Sequence, residues 1–197
     1  MTTSSHETPR APLQERKRQR AREQIVTAAH ELFAHRGYAE VTVSDIVDRA
    51  EVGRSTFFRY FGDKQEVVFH RQQSVRDLVV EREFQRSCRT PETVAMALSQ
   101  LRTVVVETYE EIATDATLHR LHEKLIDENP ELYDRHVRKL LGFADDMAAL
   151  IESRGAKHET AVLAAQVAIA CCLAARQSPT ASSDMPAAVG ECFDRLQ

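Results

Sequence analysis

Apolar residues recur along most of the chain at the three- and four-residue spacing of an amphipathic helix, and no long stretch alternates with period two. In the first such stretch, Ile25, Ala29, Leu32 and Phe33 fall on one helical face. Nine segments carry a helical pattern. The sequence therefore predicts an all-α fold of about nine helices.

The first 61 residues predict one long helix, from about residue 14 to 36, and two short ones, 43–49 and 54–61. Asp45 follows Thr42 at the spacing of a helix-capping signature. Helices of two turns are not stable alone, so both must pack on the first helix. A three-helix unit with a tight turn between its second and third helices is a helix-turn-helix. In that motif the later helix enters the major groove of DNA.

Six further helices are predicted: one that runs to about residue 85, one opened by Pro91 to about 112, then 116–126, 130–153, 159–176 and a last one from Pro186. Residues 178–184 are predicted to form a loop. Residues 161–175 are the most apolar stretch, but they are too few and too alanine-rich to span a bilayer, which needs about 20 apolar residues. We interpret them as a buried helix.

Composition is that of a globular protein in a reducing compartment. The chain has 197 residues, and its four cysteines form no C-x-x-C pair, which favours buried thiols over disulfides or a metal site. The N-terminal segment lacks the apolar region of a signal peptide. A cytoplasmic location without membrane attachment is therefore expected.

Charge is distributed unevenly along the chain. Residues 10–64 contain eleven Lys and Arg against eight Asp and Glu, whereas residues 65–197 contain fifteen against twenty-one. A basic first third suggests an anionic partner at that end. Five of its cations lie close together and are either an arm along DNA phosphates or a solvated helix start: Arg16, Lys17, Arg18, Arg20 and Arg22.

The third helix concentrates rings and cations. Four of the twelve aromatic residues lie between residues 52 and 64, and Phe57 and Phe61, four residues apart, are predicted to be core. Arg54 stands at the helix start, where it can contact guanine edges. The hydroxyls of Thr42 and Tyr60 and the amine of Lys64 suit phosphates. The remaining outward positions are Ser55, Thr56 and Arg59.

Other chemistries have weaker support. His119 and His122 have the i, i+3 spacing that can share a metal, with His136 farther on, but a pocket lining or a mixed helix face is the more ordinary reading. No G-x-S-x-G, P-loop or G-x-G-x-x-G sequence is present, so no enzyme activity, cofactor or metal is predicted. One alternative stays open: a helical ligand-binding or interaction protein whose helix-turn-helix is only structural.

Residues 42–68, TVSDIVDRAEVGRSTFFRYFGDKQEVV, resemble the TetR family of transcriptional regulators, and the match extends over about residues 20–70. The resemblance implies a dimer whose last two helices form the interface, with a ligand pocket in the C-terminal domain. The expected organisation is a disordered arm at 1–13, a helix-turn-helix DNA-binding domain at 14–62, and a ligand-binding and dimerisation domain at 63–197.

The resemblance also implies roles for single residues. Thr42 and Lys64 match phosphate-contacting positions, and the start and outward face of the recognition helix are matched by Arg54, Ser55, Thr56, Arg59 and Tyr60. Two residues depart from the family pattern. Phe58 stands where tyrosine is usual, so a phosphate hydrogen bond is lost or replaced by an apolar contact. Glu51 replaces a glycine, and glutamate is less favourable there if the backbone is left-handed.

Two further surfaces are predicted. A small apolar or amphipathic effector, which would release a repressor from DNA, is expected to contact Leu101, Val105, Tyr109, His122, Phe143 and Met147. A stripe of small residues and a final apolar stripe are expected to form a homodimer interface: Ala161, Ala165, Ala168, Cys172, Val189, Phe193 and Leu196. Ala168→Glu is then expected to give a folded monomer. A two-fold dimer predicts a pseudo-palindromic operator in double-stranded DNA.

Overall fold

The computed structural model describes residues 13–86, 89–182 and 184–196. Within these residues the chain forms nine α-helices and no strand, which confirms the all-α prediction. The helices are α1 Leu13–Arg36, α2 Val43–Arg49, α3 Arg54–Tyr60, α4 Lys64–Phe84, α5 Val94–Ala113, α6 Ala116–Glu128, α7 Pro130–Ser153, α8 His158–Arg176 and α9 Met185–Asp194. The predicted arm at 1–13 lies outside the described residues except for Leu13, which begins α1.

Two predicted boundaries were wrong. α5 begins at Val94 rather than just after Pro91, because the Thr93 side chain accepts a hydrogen bond from the Met96 N–H and caps the helix there. The loop predicted at 178–184 contains a 3₁₀ turn, Pro179–Ser182. Proline at its first position needs no amide partner and has a suitable φ, so a short turn forms where the composition indicated a loop.

The chain divides into two compact units, Met1–Val68 and Phe69–Gln197. In the first unit, α1, α2 and α3 enclose a small core. Its large side chains are fully buried: Ile25, Phe33, Ile46 and Phe57. The first turn of α4 also belongs to this unit, so the division falls six residues after the boundary at 62/63 that the sequence suggests.

The second unit is built around α8, which packs against α5, α7 and α9. Its apolar core draws large side chains from the surrounding helices and small ones from α8 itself. The largest fully buried members include Leu101, Leu140, Met147, Leu150, Ile151 and Phe193. Small side chains on the central helix let its neighbours approach closely.

The predicted orientation of α8 is wrong. The stripe Ala161, Ala165, Ala168 and Cys172 is at most 1 % exposed, so it packs on helices of the same chain and cannot form the surface of a dimer. The opposite flank includes Leu163, with 53 % of its surface exposed. Small residues indicate a close helix contact, but they do not distinguish a contact within the chain from one between chains.

The same correction applies to most of α9. Val189 and Phe193 are buried in the core of the second unit, whereas Leu196 is 52 % exposed. α8 is also the described helix whose length and composition would allow it to cross a membrane, and eight of its residues are buried in this core.

Candidate functional site

The short helix α2 has a complete N-terminal cap. The Thr42 backbone N–H and hydroxyl donate to Asp45 Oδ2 at 2.7 and 2.6 Å, and the Thr42 oxygen accepts from the Asp45 N–H at 3.2 Å. The Thr42 side-chain and backbone hydrogen bonds, together with Arg36, lower the pKa of Asp45. The predicted capping signature is thus formed. Its consequence is that the Thr42 hydroxyl proton is directed to Asp45 and must turn away from it to reach a phosphate.

The turn between α2 and α3 ends α2 in a Schellman motif. The Val52 N–H donates to the Val47 carbonyl at 3.0 Å, and the Glu51 N–H donates to the Asp48 carbonyl at 3.3 Å. Glu51 occupies the left-handed position of this motif, with φ +54°. That position normally favours glycine, because a Cβ there approaches the following carbonyl. From the sequence, glutamate is expected to be unfavourable here if the backbone is left-handed, and the backbone is left-handed at Glu51.

α3 divides into a buried and an exposed face. Phe57 and Phe61 are buried, as predicted, with their ring centres 5.7 Å apart. Three polar side chains predicted to contact DNA are exposed: Arg54, Ser55 and Arg59. Arg54 donates to the Ser44 hydroxyl at 2.8 Å, which positions its guanidinium beside α2. Phe58 joins this face, half exposed, with Arg54 over its ring.

The other predicted contacts are less open. Thr56 and Tyr60 are half-buried, and the guanidinium of Arg22 lies 5.0 Å from the centre of the Tyr60 ring. The Lys64 amine donates to the carbonyls of Tyr38 and Val41, both at 3.0 Å. Lys64 therefore ties the start of α4 to the loop before α2, and at most one of its three N–H groups is left for a phosphate.

Basic residues of α1 extend this surface. Arg16, Lys17, Arg18 and Arg20 are exposed along its first two turns, and Arg22 is the member that reaches the Tyr60 ring. The first unit thus combines an exposed helix bearing two arginines with a further group of cations on α1. Such a surface attracts polyanions.

The second unit contains a buried polar cluster, which we define as Phe69, Gln72, Arg76, Tyr109, His122, His136 and Phe143. Its rings are in contact: Phe69 lies 5.5 Å from His122 and 6.3 Å from His136, between ring centres. The Arg76 guanidinium lies 5.2 Å from the centre of the Phe143 ring. Three residues predicted to contact an effector, Tyr109, His122 and Phe143, therefore belong to one cluster.

The remaining predicted effector residues lie elsewhere. Leu101, Val105 and Met147 are fully buried among apolar side chains of the core. Sequence reasoning missed the α4 members of the cluster, Gln72 and Arg76. Their spacing from Phe69, at i+3 and i+7, places all three on one helical face and could have shown that a charged residue shares a face with core positions.

Burial and positive charge govern the protonation of the cluster. Burial, together with the nearby guanidiniums of Arg176 and Arg76, lowers the pKa of His136 to about 3. Burial also raises the pKa of Tyr109 well above its usual value, and it raises the pKa of Cys172, which hydrogen-bonds Tyr109, to about 12. At neutral pH, His136, Tyr109 and Cys172 are all uncharged.

A cavity of about 430 Å³ lies beside α6 and is lined mainly by charged side chains. Arg176 makes ion pairs there with Glu123 and, at 2.6 Å, with Asp127. Burial raises the pKa of Glu123 and lowers that of His119. Across the described residues, no three His, Cys, Asp or Glu side chains converge as metal ligands would.

These features define a class of protein: a helix-turn-helix unit with a cationic surface, joined to a helical unit that holds a buried polar cluster. Residues 25–70 match the sequence profile of the bacterial regulatory proteins, tetR family. The chain is 30 % identical over 156 residues to the HTH-type transcriptional regulator TcmR of Streptomyces glaucescens, a match that covers 78 % of this chain and 69 % of TcmR. The protein belongs to the TetR family of DNA-binding transcriptional regulators, as its sequence suggested.

One further regulator is similar in sequence, and two solved structures are similar in fold. The HTH-type transcriptional regulator TtgR of Pseudomonas putida is 30 % identical over 109 residues, which are 54 % of this chain and 50 % of TtgR. The fold resembles that of SmeT, the repressor of the Stenotrophomonas maltophilia multidrug efflux pump SmeDEF, with a TM-score of 0.57 and 22 % identity over 88 % of this chain and 87 % of SmeT. A complex of SmeT with triclosan gives a TM-score of 0.60 at 20 % identity, over 89 % of this chain and 88 % of that one.

Proposed function

We propose that the protein is a cytoplasmic, homodimeric repressor that binds a pseudo-palindromic operator and is released from it by a small molecule. The exposed face of α3 supports the DNA-binding part most directly, since Arg54 and Arg59 project from it without a carboxylate partner among the described residues. One helix-turn-helix buries too little surface for tight binding, so a two-fold dimer places two recognition helices about 34–36 Å apart.

Selection of binding sites from random DNA tests this assignment. Arg54→Ala and Arg59→Ala are each expected to weaken operator binding by about 1–3 kcal/mol and to relax the preference at one base pair per half-site. Arg138→Ala, an exposed arginine in the second unit, is the matched control and leaves the selected sequence unchanged. If both α3 variants select the wild-type sequence with wild-type affinity, α3 does not read the operator.

Phe58 adds a specificity contact on the same face. It is 50 % exposed and lies beside Arg54, and an apolar ring of this kind fits the methyl group of thymine. In the selected operator, replacement of each thymine by deoxyuridine removes a single methyl group. We expect one such replacement per half-site to weaken the wild-type protein, whereas Phe58→Ala is expected to be insensitive to it.

The dimer interface is proposed on the outward flank of α8. Leu163, Val167, Ala170 and Leu173 recur there at helical spacing and are exposed or half-buried, and Leu196 offers a further exposed apolar side chain. Ala170→Glu would bury a charge in this contact and is expected to give a folded monomer in light scattering. Ala149→Glu, at an exposed alanine of α7, is the control. An intact Ala170→Glu dimer would place the interface elsewhere.

The effector is proposed to bind at the buried polar cluster. It can shift DNA affinity only by the difference in its own affinity for the operator-bound and operator-free conformations. By reciprocity, operator DNA must weaken effector binding by the same factor. Equal effector affinity with and without the operator would contradict this mechanism.

A further inference from the structure

One face of α4 within the second unit is buried although it carries polar residues. Phe69, Gln72 and Arg76 lie on it at i, i+3 and i+7, and each is at least 94 % buried. Opposite them, α7 contributes His136, which is equally buried, and Phe143. Polar groups that are removed from water normally find hydrogen-bond partners within the protein.

Several of these groups have none among the described residues. Gln72 Oε1 and His136 Nε2 are fully enclosed and accept or donate no hydrogen bond there. Arg76 is 5 % exposed, yet the described residues provide it with neither a hydrogen bond nor a carboxylate within 4.0 Å. Asp146 feels Arg76 electrostatically but lies beyond ion-pair distance.

The unmatched groups have a common chemical demand. A guanidinium only donates hydrogen bonds, and its planar fork matches a carboxylate in bidentate geometry. The Gln72 oxygen requires a donor, such as a hydroxyl group. The surrounding rings of Phe69, His122, His136 and Phe143 offer apolar and stacking surface to a planar molecule.

We propose that the buried polar cluster binds an aromatic carboxylate, with Arg76 paired to the carboxylate, the rings packed on the aromatic body and Gln72 accepting from a hydroxyl group on it. This inference rests on the proposed function in taking the cluster as the effector site. It narrows the effector from an apolar or amphipathic molecule to an anionic one.

Calorimetry on the full-length protein without DNA tests the charge requirement with three probes: 3-hydroxy-2-naphthoate, its neutral amide, and 2-naphthoate, which lacks the hydroxyl group. The hydroxy acid is expected to bind about tenfold or more tightly than the amide, which corresponds to a single charge-assisted interaction. It is also expected to bind more tightly than 2-naphthoate. Arg76→Met should abolish the preference for the acid over the amide, and the control Arg138→Met should retain it.

The stability of the free protein separates a binding role from a structural one. If Arg76 awaits a ligand, Arg76→Met removes an unpaired buried charge and raises the melting temperature of the free protein. If Arg76 mainly supports the fold, the same change lowers it, and the proposal is wrong. Arg76→Gln, which keeps hydrogen-bonding groups without the charge, is a second test of the preference for the acid over the amide, and circular dichroism checks that both variants are folded.

Three calorimetric results would overturn the inference: equal binding of acid and amide by the wild-type protein, no binding of either naphthoate, or a preference for the acid that survives Arg76→Met or Arg76→Gln. None of these depends on DNA. Loss of operator selection would instead contradict the proposed function, so the two failures are distinguishable.

Discussion

Two buried arginines of the second unit are surrounded in opposite ways. Arg154, 6 % exposed on its side chain, donates to the Glu83 carboxylate at 3.1 Å, to the Glu83 carbonyl at 3.0 Å and to Gln100 at 2.9 Å. Arg76, two helical turns before Glu83 on α4, has no such partner among the described residues. The fold thus pairs one buried cation within the chain and gives the other no carboxylate among the described residues. This contrast distinguishes a structural end of α4 from its middle, where we propose that a ligand binds.

Removal of the carboxylate that pairs with Arg154 should have the largest effect on stability. Glu83→Ala leaves Arg154 buried without a counter-charge and should lower the free energy of unfolding by about 3–5 kcal/mol, measured by urea denaturation. Arg86, whose guanidinium lies 2.7 Å from Glu83 Oε1 but outside hydrogen-bond angles, loses one carboxylate neighbour and keeps Glu107 at 3.4 Å. Glu81→Ala, an exposed neighbour on α4, should change stability by less than about 0.5 kcal/mol. Similar changes in the free energy of unfolding for Glu83→Ala and Glu81→Ala would contradict a structural role for the pair of Glu83 and Arg154.

The buried polar cluster should make the stability of the protein sensitive to acid. His136 faces Arg76, Arg176 and His122, and its folded-state pKa of about 3 lies below the ordinary value near 6.5. Between these values the unfolded chain binds more protons, so stability falls as the pH is lowered. The expected loss from pH 7 to pH 5 is about 2 kcal/mol.

His136→Phe tests this pH dependence, because it keeps a ring at the position and removes the titrating group. Urea denaturation at pH 7 and pH 5 should show a much smaller difference for the variant than for the wild-type protein. An unchanged difference would assign the acid sensitivity to other groups.

A carboxylate supplied to Arg76 should make its surroundings resemble those of Arg154. Gln72 and Arg76 are neighbours at i, i+4 on α4, so Gln72→Glu places a carboxylate beside the guanidinium. We expect a gain in stability of about 1 kcal/mol in the free protein and loss of binding to 3-hydroxy-2-naphthoate. Gln24→Glu, the same change at an exposed position of α1, is the control. Retained naphthoate binding by Gln72→Glu would show that Arg76 is not the group that pairs with the acid.

A smaller effect is expected at two helix ends where the backbone is left-handed, one in each unit. α2 and α7 both end in Schellman motifs, but the left-handed residue is Glu51 in one, with φ +54°, and Gly155 in the other, with φ +92°. Glu51→Gly should raise the free energy of unfolding by about 0.5–1 kcal/mol. Gly155→Ala should lower it, since a Cβ there would meet Thr90 at 3.2 Å. A loss of stability in Glu51→Gly would contradict the strain at this turn.

Local patterns predicted the elements better than their surroundings. The bounds 43–49 and 130–153 match α2 and α7, because a capping box or an N-terminal proline defines their starts within a few residues. The inward stripe of α8 could not be assigned in the same way. Both of its flanks are apolar, so the period of the pattern reveals a buried helix without showing which side its own chain covers.

The candidate sites show the same limit. The exposed positions of α3 follow from its helical period, but the pairing of Lys64 with the Tyr38 and Val41 carbonyls depends on a loop more than twenty residues away. Arg76 was missed because a charged residue in a helix usually indicates a solvated face. Its burial is decided by α7, a helix more than fifty residues further along the chain.

The adjacent thiols of α8 give the protein an internal reporter of its own motion. Burial raises the pKa of Cys171 to about 11 and that of Cys172 to about 12, and Cys172 is fully enclosed. Alkylating reagents react with the thiolate, so at pH 8 they modify Cys172 only during excursions in which α8 leaves the core. The rate at which Cys172 is alkylated therefore reports the opening of the second unit, and no reporter residue has to be introduced.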